Sequence, residues 1–393
     1  MVLSRLKDVN NNIVLLLIIF FITNSCVDEY WPKVLPKYES NLVIDGQINS
    51  QPGPYEVILS LSTELSWPLF DPMEECSVTI FDDAGNSEQL IELGQGKYTT
   101  AVQGIRGIPG RSYKLKIVTP QGKNYESEYT KMPEPGIIDS IYYKSENRPH
   151  PDLERTMSGL QFFINAHNEY DSSNYFFWRV EQTYKFNANY RIRFIYDGKM
   201  NRFQSPDSLF TCYKSDHIPS IYLYNTEKLE HSTIKDYPLH YVNTESKALS
   251  IRYSVLVNQY SITKETYKYW NDLSSLNDEQ GDLYSRLPFQ VRGNVFNTED
   301  KNEPVLGCFL VAGKSTKRIF IDRPHYLDYY YSDSCNLYGP DAELLWIHRN
   351  EWPLFLPAFP GTGGASPAWV DYQWCVNCTK SDGKLEKPDF WVE

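Results

Sequence analysis

An all-β fold, mainly strands with one clear helix, follows from three features of this 393-residue chain. Aromatic residues make up 15% of it, 30 Tyr, 19 Phe and 9 Trp against 5 Met, and flat rings pack well on a half-buried pleated surface. Short runs alternating apolar and polar recur along the length, separated by Gly, Pro, Asn and Asp. Only one segment repeats its apolar residues at helical spacing. The prediction is an N-terminal immunoglobulin-like sandwich over residues 41–135, then a larger antiparallel β domain over residues 136–393. A signal peptide at 1–25 and a lipidated tether at 26–40 precede them.

The leader comes first. Arg5 and Lys7 precede an apolar run, Ile13 to Ile22, that is short for a bilayer span of about 20 residues and suits a signal-peptide core. It ends in Thr23-Asn24-Ser25-Cys26, with Thr23 where Leu is usual. A small residue followed by Cys at this place is the bacterial lipoprotein pattern, in which the chain is cut before the Cys and acylated on it. Three acyl chains far exceed the single chain that gives only marginal attachment. The alternative is a secreted protein whose Cys26 joins a disulfide. Asp28 and Glu29 follow, an acidic pair resembling the export signal that carries certain lipoproteins to the outer face of the outer membrane. The expected location is therefore the outer membrane, lipid-anchored and facing the cell exterior. Loss of residues 1–25 removes Arg5, Lys7 and Asp8, net +1, so the formal charge moves from −12 to −13.

Pro32 and Pro36 keep the tether out of helix. Seven strands are then expected: Leu42–Ile48, Tyr55–Ser62, Val78–Phe81, Leu90–Leu93, Tyr98–Val102, Tyr113–Val118 and Tyr125–Thr130. Asp82-Asp83-Ala84-Gly85-Asn86 is a hairpin turn, and Pro133-Glu134-Pro135-Gly136 closes the set. Beyond it, strands are expected at Ile138–Tyr143, Leu160–Ala166, Tyr175–Thr183, Tyr190–Tyr196 and Leu249–Gln259. The helix, near 264–280, begins after Thr263 as cap, has Glu265 in its first turn, and carries Tyr267, Trp270 and Leu273 on one side. Strands return at Phe289–Phe296, Leu306–Ala312 and Arg318–Asp322.

Charge and motifs narrow the function classes. A pI near 5.2 with no basic block argues against nucleic acid, since nothing is present to displace phosphate counterions. Gly313-Lys314-Ser315-Thr316 looks like the end of a phosphate loop, but five residues separate it from Gly307 where four are needed, and those five read as strand. The seven His form no close pair suited to a metal, and no G-x-S-x-G elbow occurs. Asp278-Glu279-Gln280-Gly281-Asp282 lacks the alternating ligands of a calcium loop and reads as a solvated helix end. We therefore expect no cofactor and no metal, and assign no catalytic residue. The clusters Tyr329-Tyr330-Tyr331 and Trp352–Phe359 read first as core divided with ordinary surface, and second as sugar- or protein-binding rings.

Seven cysteines less a lipidated Cys26 leave six: Cys76, Cys212, Cys308, Cys335, Cys375 and Cys378. An even set suits an oxidising compartment, and its 15 pairings are not separable by sequence. Cys375-Val376-Asn377-Cys378 lacks the second close pair of a zinc site and the strand-then-helix setting of a redox pair. It reads as part of structural disulfides stapling the C-terminal tail to the body.

Several ordered segments carry a family resemblance. They are Leu42-Val43-Ile44-Asp45-Gly46, Gly107-Ile108-Pro109-Gly110-Arg111-Ser112-Tyr113, Ile138-Asp139-Ser140-Ile141-Tyr142-Tyr143 and Tyr253 to Ser261 with Tyr269-Trp270. Gly293-Asn294-Val295, Arg318-Ile319-Phe320-Ile321, Cys375-Val376-Asn377-Cys378 and Lys387-Pro388-Asp389-Phe390-Trp391 follow. On these the chain resembles the bacterial domain-of-unknown-function (DUF) 4249 family of outer-membrane lipoproteins. Cys76 stands where the family pattern has a small residue, and Cys308 where it tends to have Tyr. The resemblance thus implies that Cys212, Cys335, Cys375 and Cys378 form the shared disulfide framework, with Cys76 and Cys308 either paired together or free. It assigns no activity. It implies a context, since members are often encoded beside TonB-dependent outer-membrane transporters.

The favoured expectation is a non-enzymatic surface lipoprotein that serves such a barrel as lid or substrate-capture subunit. A surface glycan- or peptide-binding protein or hydrolase is the second reading. A structural component of surface assembly or adhesion machinery is the third.

Overall fold

A computed structural model of the chain describes residues 40–63, 69–169, 174–278, 291–331, 335–339 and 351–392. Residues Asn41–Glu393 make one compact unit, and the structure is mostly β with one α-helix. The readings placed on Cys26, Asp28 and Glu29 lie outside the described residues.

The largest sheet has nine strands. Its order runs Thr211–Asn225, Tyr175–Asn187, Arg252–Ile262, Leu306–Asp322, Leu42–Asn49, Glu56–Leu61, Lys97–Thr99, Ile91–Gly94, with Asp71–Pro72 added beside Glu56–Leu61. Leu306–Asp322 is a single strand where the sequence suggests two separated by Gly313-Lys314-Ser315-Thr316. Its first part, Leu306 to Ala312, pairs in parallel with Val43 to Asn49. Its second part, Gly313 to Asp322, pairs antiparallel with Arg252 to Ser261. The strand thus belongs to both halves of the molecule.

Gly313 is where the strand changes partner. A Cβ there would lie 2.4 Å from the Pro133 carbonyl oxygen and 2.6 Å from the Pro135 nitrogen, so only glycine lets the connecting segment cross. Gly136 is then held on both sides: its N–H donates to Ser261 Oγ (2.9 Å) and its carbonyl accepts from Ser315 Oγ (2.7 Å). The motif that imitates a phosphate loop is a strand crossing.

A second sheet, of six strands, orders Val295–Asn297, Asn124–Ser127, Ser112–Val118, Ser77–Asp82 and Ser87–Gln89, with Thr130–Lys131 beside Ser112–Val118. It shares one core with the N-terminal half of the large sheet, in a sandwich-like packing of two layers. Ile44, Ile48, Val57 and Leu59 of one layer join Val78, Ile80, Leu115 and Ile117 of the other. Each such burial contributes about 1.5–3 kcal/mol. Strict in–out alternation along Ser77–Asp82 and Ser112–Val118 is the period-2 pattern read from the sequence. The turn after Phe81 is built on Asp82, whose carboxylate accepts from the Ala84 and Asn86 N–H groups (3.0 and 2.8 Å) and from Arg111 Nη1 (2.9 Å).

A third sheet, Ile137–Pro149, Thr156–His167 and Thr233–Asn243, covers the C-terminal half of the large sheet. Leu160, Phe162 and Ile164 meet Phe176, Trp178, Tyr253, Val255 and Val257 in a second core. Trp178 is fully enclosed there, and its Nε1–H finds Gln259 Oε1 at 2.9 Å. Two small sheets complete the described residues: Met200–Arg202, Phe194–Tyr196, Leu354–Leu356, and Leu337–Tyr338 with Trp369–Val370.

Thr211–Asn225 and Thr233–Asn243 were not expected as strands. Each lies at the edge of its sheet, and each contains a proline, Pro219 or Pro238, that interrupts the pattern but is tolerated at an edge. Other boundaries move. Tyr190–Tyr196 contracts to Phe194–Tyr196, and Phe289–Phe296 is strand only at Val295–Asn297 among the described residues. Leu249 belongs to a 3₁₀ turn, so the following strand starts at Arg252. The helix is Lys264–Asp278, capped as expected by Thr263 Oγ1, which accepts from Thr266 N–H (3.3 Å); its end near Gly281 lies outside the described residues.

Candidate functional site

The helix forms the border of two cavities. The larger, about 780 Å³, is bounded by the start of the helix, the Thr130–Lys131 strand and the segment entering Val295–Asn297. Its floor is Tyr269, Phe296, Val305 and Cys308, and its rim carries Lys131, Lys268, Arg292 and Lys301 against Glu128 and Glu265. The floor is fixed by backbone crossings. Asn294 Nδ2 donates to the Phe309 carbonyl and its Oδ1 accepts from Phe309 N–H, both at 2.8 Å. A Cβ on Gly293 would stand 1.7 Å from the Gly307 oxygen, and one on Gly307, whose φ is +81°, would stand 1.9 Å from the Ile44 oxygen. Three backbones therefore pass in contact at this place, and two glycines permit it.

Cys308 is the one thiol in the lining. Burial pushes its pKa up to about 12, with Asp45 adding to the rise and Arg179 opposing it. A thiol so held is protonated at neutral pH and is a poor nucleophile. Tyr269, beside it, is likewise raised by burial.

The smaller cavity, about 420 Å³, lies along the large sheet. Its floor is read from the strand register: Phe177 pairs with Tyr260, and Tyr260 with Lys314. Arg179 pairs with Asn258 in the next row. Trp270 of the helix stacks on Phe177 with ring centroids 4.8 Å apart, and the Arg179 guanidinium lies 5.7 Å from the Trp270 ring.

The tail is stapled. Cys212 bonds to Cys378 and Cys335 to Cys375, so the two cysteines of the C-x-x-C segment each reach a distant partner. Cys76 and Cys308 are unpaired and buried. Tyr213 and Lys384 exchange backbone hydrogen bonds at 2.8 Å in each direction, and buried Trp391 meets Tyr213 and Phe320 edge-on. The Arg318 guanidinium lies 3.6 Å above the Phe390 ring. The aromatic clusters divide between inside and outside. Tyr329 packs on the second core, Tyr330 is 52% exposed under Arg155, and Leu354 and Leu356 of the Trp352–Phe359 stretch are buried. Among the described residues no group of three or more His, Cys, Asp or Glu is placed to hold a metal.

The family model described as Domain of unknown function (DUF4249) matches residues 27–318. The chain belongs to that family. No curated protein matches it. The DUF4249 span contains the segments with the glycine crossings, Gly293-Asn294-Val295 and Leu306-Gly307, so a physical reason attaches to them in this member: side chains there would part the strands. Gly107 behaves alike, since its Cβ would lie 2.2 Å from the Asn49 oxygen. The span includes Cys76, Cys212 and Cys308 and ends before Cys335, Cys375 and Cys378. Sequence reasoning missed the smaller cavity, because its lining comes from the helix and from five strands that lie far apart in the chain.

Proposed function

We propose that this DUF4249 member is a cell-surface outer-membrane lipoprotein, anchored through Cys26, that serves a TonB-dependent barrel as a non-enzymatic lid or substrate-capture subunit. The observation that carries this reading is the Ser25-Cys26 junction, directly ahead of the family span that opens at Val27, with Asp28 and Glu29 as the next residues of that span. The body fits a role of holding rather than reacting. The thiol of its larger cavity is protonated at neutral pH, and the surrounding backbones are locked together. At the outer edge of the large sheet Ile91 and Leu93 of the last strand are 56% and 65% exposed, which supports docking of a partner along that edge.

Affinity purification from gently solubilised membranes tests the proposal. A large β-barrel protein should co-purify, and Cys26→Ala should abolish palmitate labelling. Repeated recovery of the chain alone, or labelling that persists in the variant, would overturn it. The glycan- or peptide-binding reading draws on the smaller cavity, lined by Phe177, Tyr260 and Trp270 with Arg179 and Lys314.

A further inference from the structure

The rim of the larger cavity carries a charge opposite in sign to that of the chain. Overall, 38 Lys and Arg stand against 50 Asp and Glu, a formal −12. At the rim the balance inverts: Lys131, Lys268, Arg292 and Lys301 against Glu128 and Glu265 leave +2. The four cations converge from separate segments: the Thr130–Lys131 strand, the helix, the approach to Val295–Asn297 and the loop beyond it. Among the described residues none of these six groups forms an ion pair. Like charges at one opening repel, and no described carboxylate is paired with them to offset it.

The floor beneath them is apolar. Val305 and Cys308 are buried, and Tyr269 and Phe296 are half-buried. The glycine crossings and the Asn294–Phe309 pair fix this floor, so the recess is preformed. The Lys301 ammonium lies 5.3 Å from the centroid of the Phe296 ring, which brings charge and apolar surface together at one point of the wall. The volume, about 780 Å³, is within the range of small-ligand sites, which are mostly apolar with a few placed polar groups. A recess with one sign of charge above low-dielectric walls focuses its field and concentrates molecules of the opposite sign. An inorganic anion would leave the floor wet, and a neutral apolar molecule would leave the cations uncompensated. The lining matches a molecule that has both parts.

We propose that the larger cavity binds a small organic dianion, with its apolar body against Tyr269, Phe296 and Val305 and its charge among the four rim cations. An aromatic dicarboxylate and an aryl phosphate share this chemistry. The site needs neither the lipid anchor nor a barrel, so it stands or falls apart from the transporter proposal.

Calorimetric titration of the full chain in non-ionic detergent tests it, with detergent alone as reference, at about pH 8 where a phosphate monoester is doubly charged. The probes are naphthalene dicarboxylate, naphthyl phosphate, the uncharged naphthalene dicarboxamide, and succinate, which has the charges without the rings. Saturable one-to-one binding of the dicarboxylate assigns two separate carboxylates, and binding of the phosphate assigns one doubly charged group; either supports the site. The diamide and succinate should each bind at least about tenfold more weakly. Lys268→Glu with Lys301→Glu turns the rim from +2 to −2 and should weaken the tighter dianion by at least about tenfold, with an unchanged melting temperature. Lys199→Glu with Lys387→Glu makes the same change of charge outside the lining and should leave affinity within about twofold. No binding of either naphthalene dianion up to about 10 mM overturns the proposal, as does equal affinity for the diamide or succinate, or equal affinity in the two double variants. The comparison of probes decides on the unaltered chain, independently of how any variant folds.

Discussion

The sandwich-like region and the C-terminal tail are built from opposite materials. In the sandwich, aliphatic side chains from two layers interdigitate, and its cysteine, Cys76, is buried and unpaired. In the tail, the regular elements among the described residues are two-residue and three-residue strands and 3₁₀ turns, and cohesion comes from two disulfides, from Trp391 against Tyr213 and Phe320, and from Arg318 over Phe390. A segment whose own core is small, Leu354, Leu356 and Trp369 against Phe194, gains order from cross-links that constrain its unfolded state. The sandwich needs none.

The largest expected effect probes the junction that both halves share. Gly307→Ala places a methyl 1.9 Å from the Ile44 oxygen at a φ of +81°, so it should destabilise the whole body by about 4 kcal/mol or more in denaturant titration. A loss below about 1 kcal/mol would mean that the three-backbone crossing is not the pivot described.

Next comes the tail. Cys212→Ser with Cys378→Ser should cost about 2–5 kcal/mol, and proteolysis should then cut within the tail while the sandwich resists. The two bridges close 166 and 40 residues of chain, so losing the longer should cost about 1 kcal/mol more than losing the shorter. If reduction opened the sandwich first, the contrast between the regions would be wrong.

A pH effect should localise outside both regions, to the third sheet, where His240 lies in Thr233–Asn243. Burial holds His240 down to about 4 from 6.5, with Arg148 adding to the effect. Between those values the unfolded chain binds the extra proton and the folded chain does not. Stability is therefore complete above about pH 6.5 and falls by on the order of 2 kcal/mol as pH drops toward 4. In His240→Gln this part of the acid sensitivity should disappear, which thermal melts across that window would measure.

The smallest effect expected is at the helix. Thr263→Ala removes the cap on the Thr266 N–H and should cost about 1 kcal/mol. A Thr263→Ser control should restore most of it.

Much of the architecture was legible in the residues. Alternation at Ser77–Asp82 and Ser112–Val118, the Asp82 turn and the Thr263 cap are local, and each acts through neighbours in sequence. Edge strands were less legible, because at an edge one side of the ladder is unpaired and proline or charge is tolerated, which erases the pattern. Thr233–Asn243 even bends through Asp236 at a φ of +53°. The continuity of Leu306–Asp322 was hidden by Gly313, which reads as a break in one dimension and is a crossing in three.

By itself the sequence determined the β character, the position of the helix, the family resemblance, and a cysteine set that excluded neither pairing nor freedom. Those properties depend on side-chain type and short-range spacing. Only the tertiary structure decided that Cys375 and Cys378 reach away from each other, that one strand serves both halves, and that Gln47, Trp270 and Lys314 surround one cavity. Partners separated by more than two hundred residues, as Gln47 and Lys314 are, meet through sheet register. Register is fixed by the packing of whole faces, and no single stretch of chain encodes it.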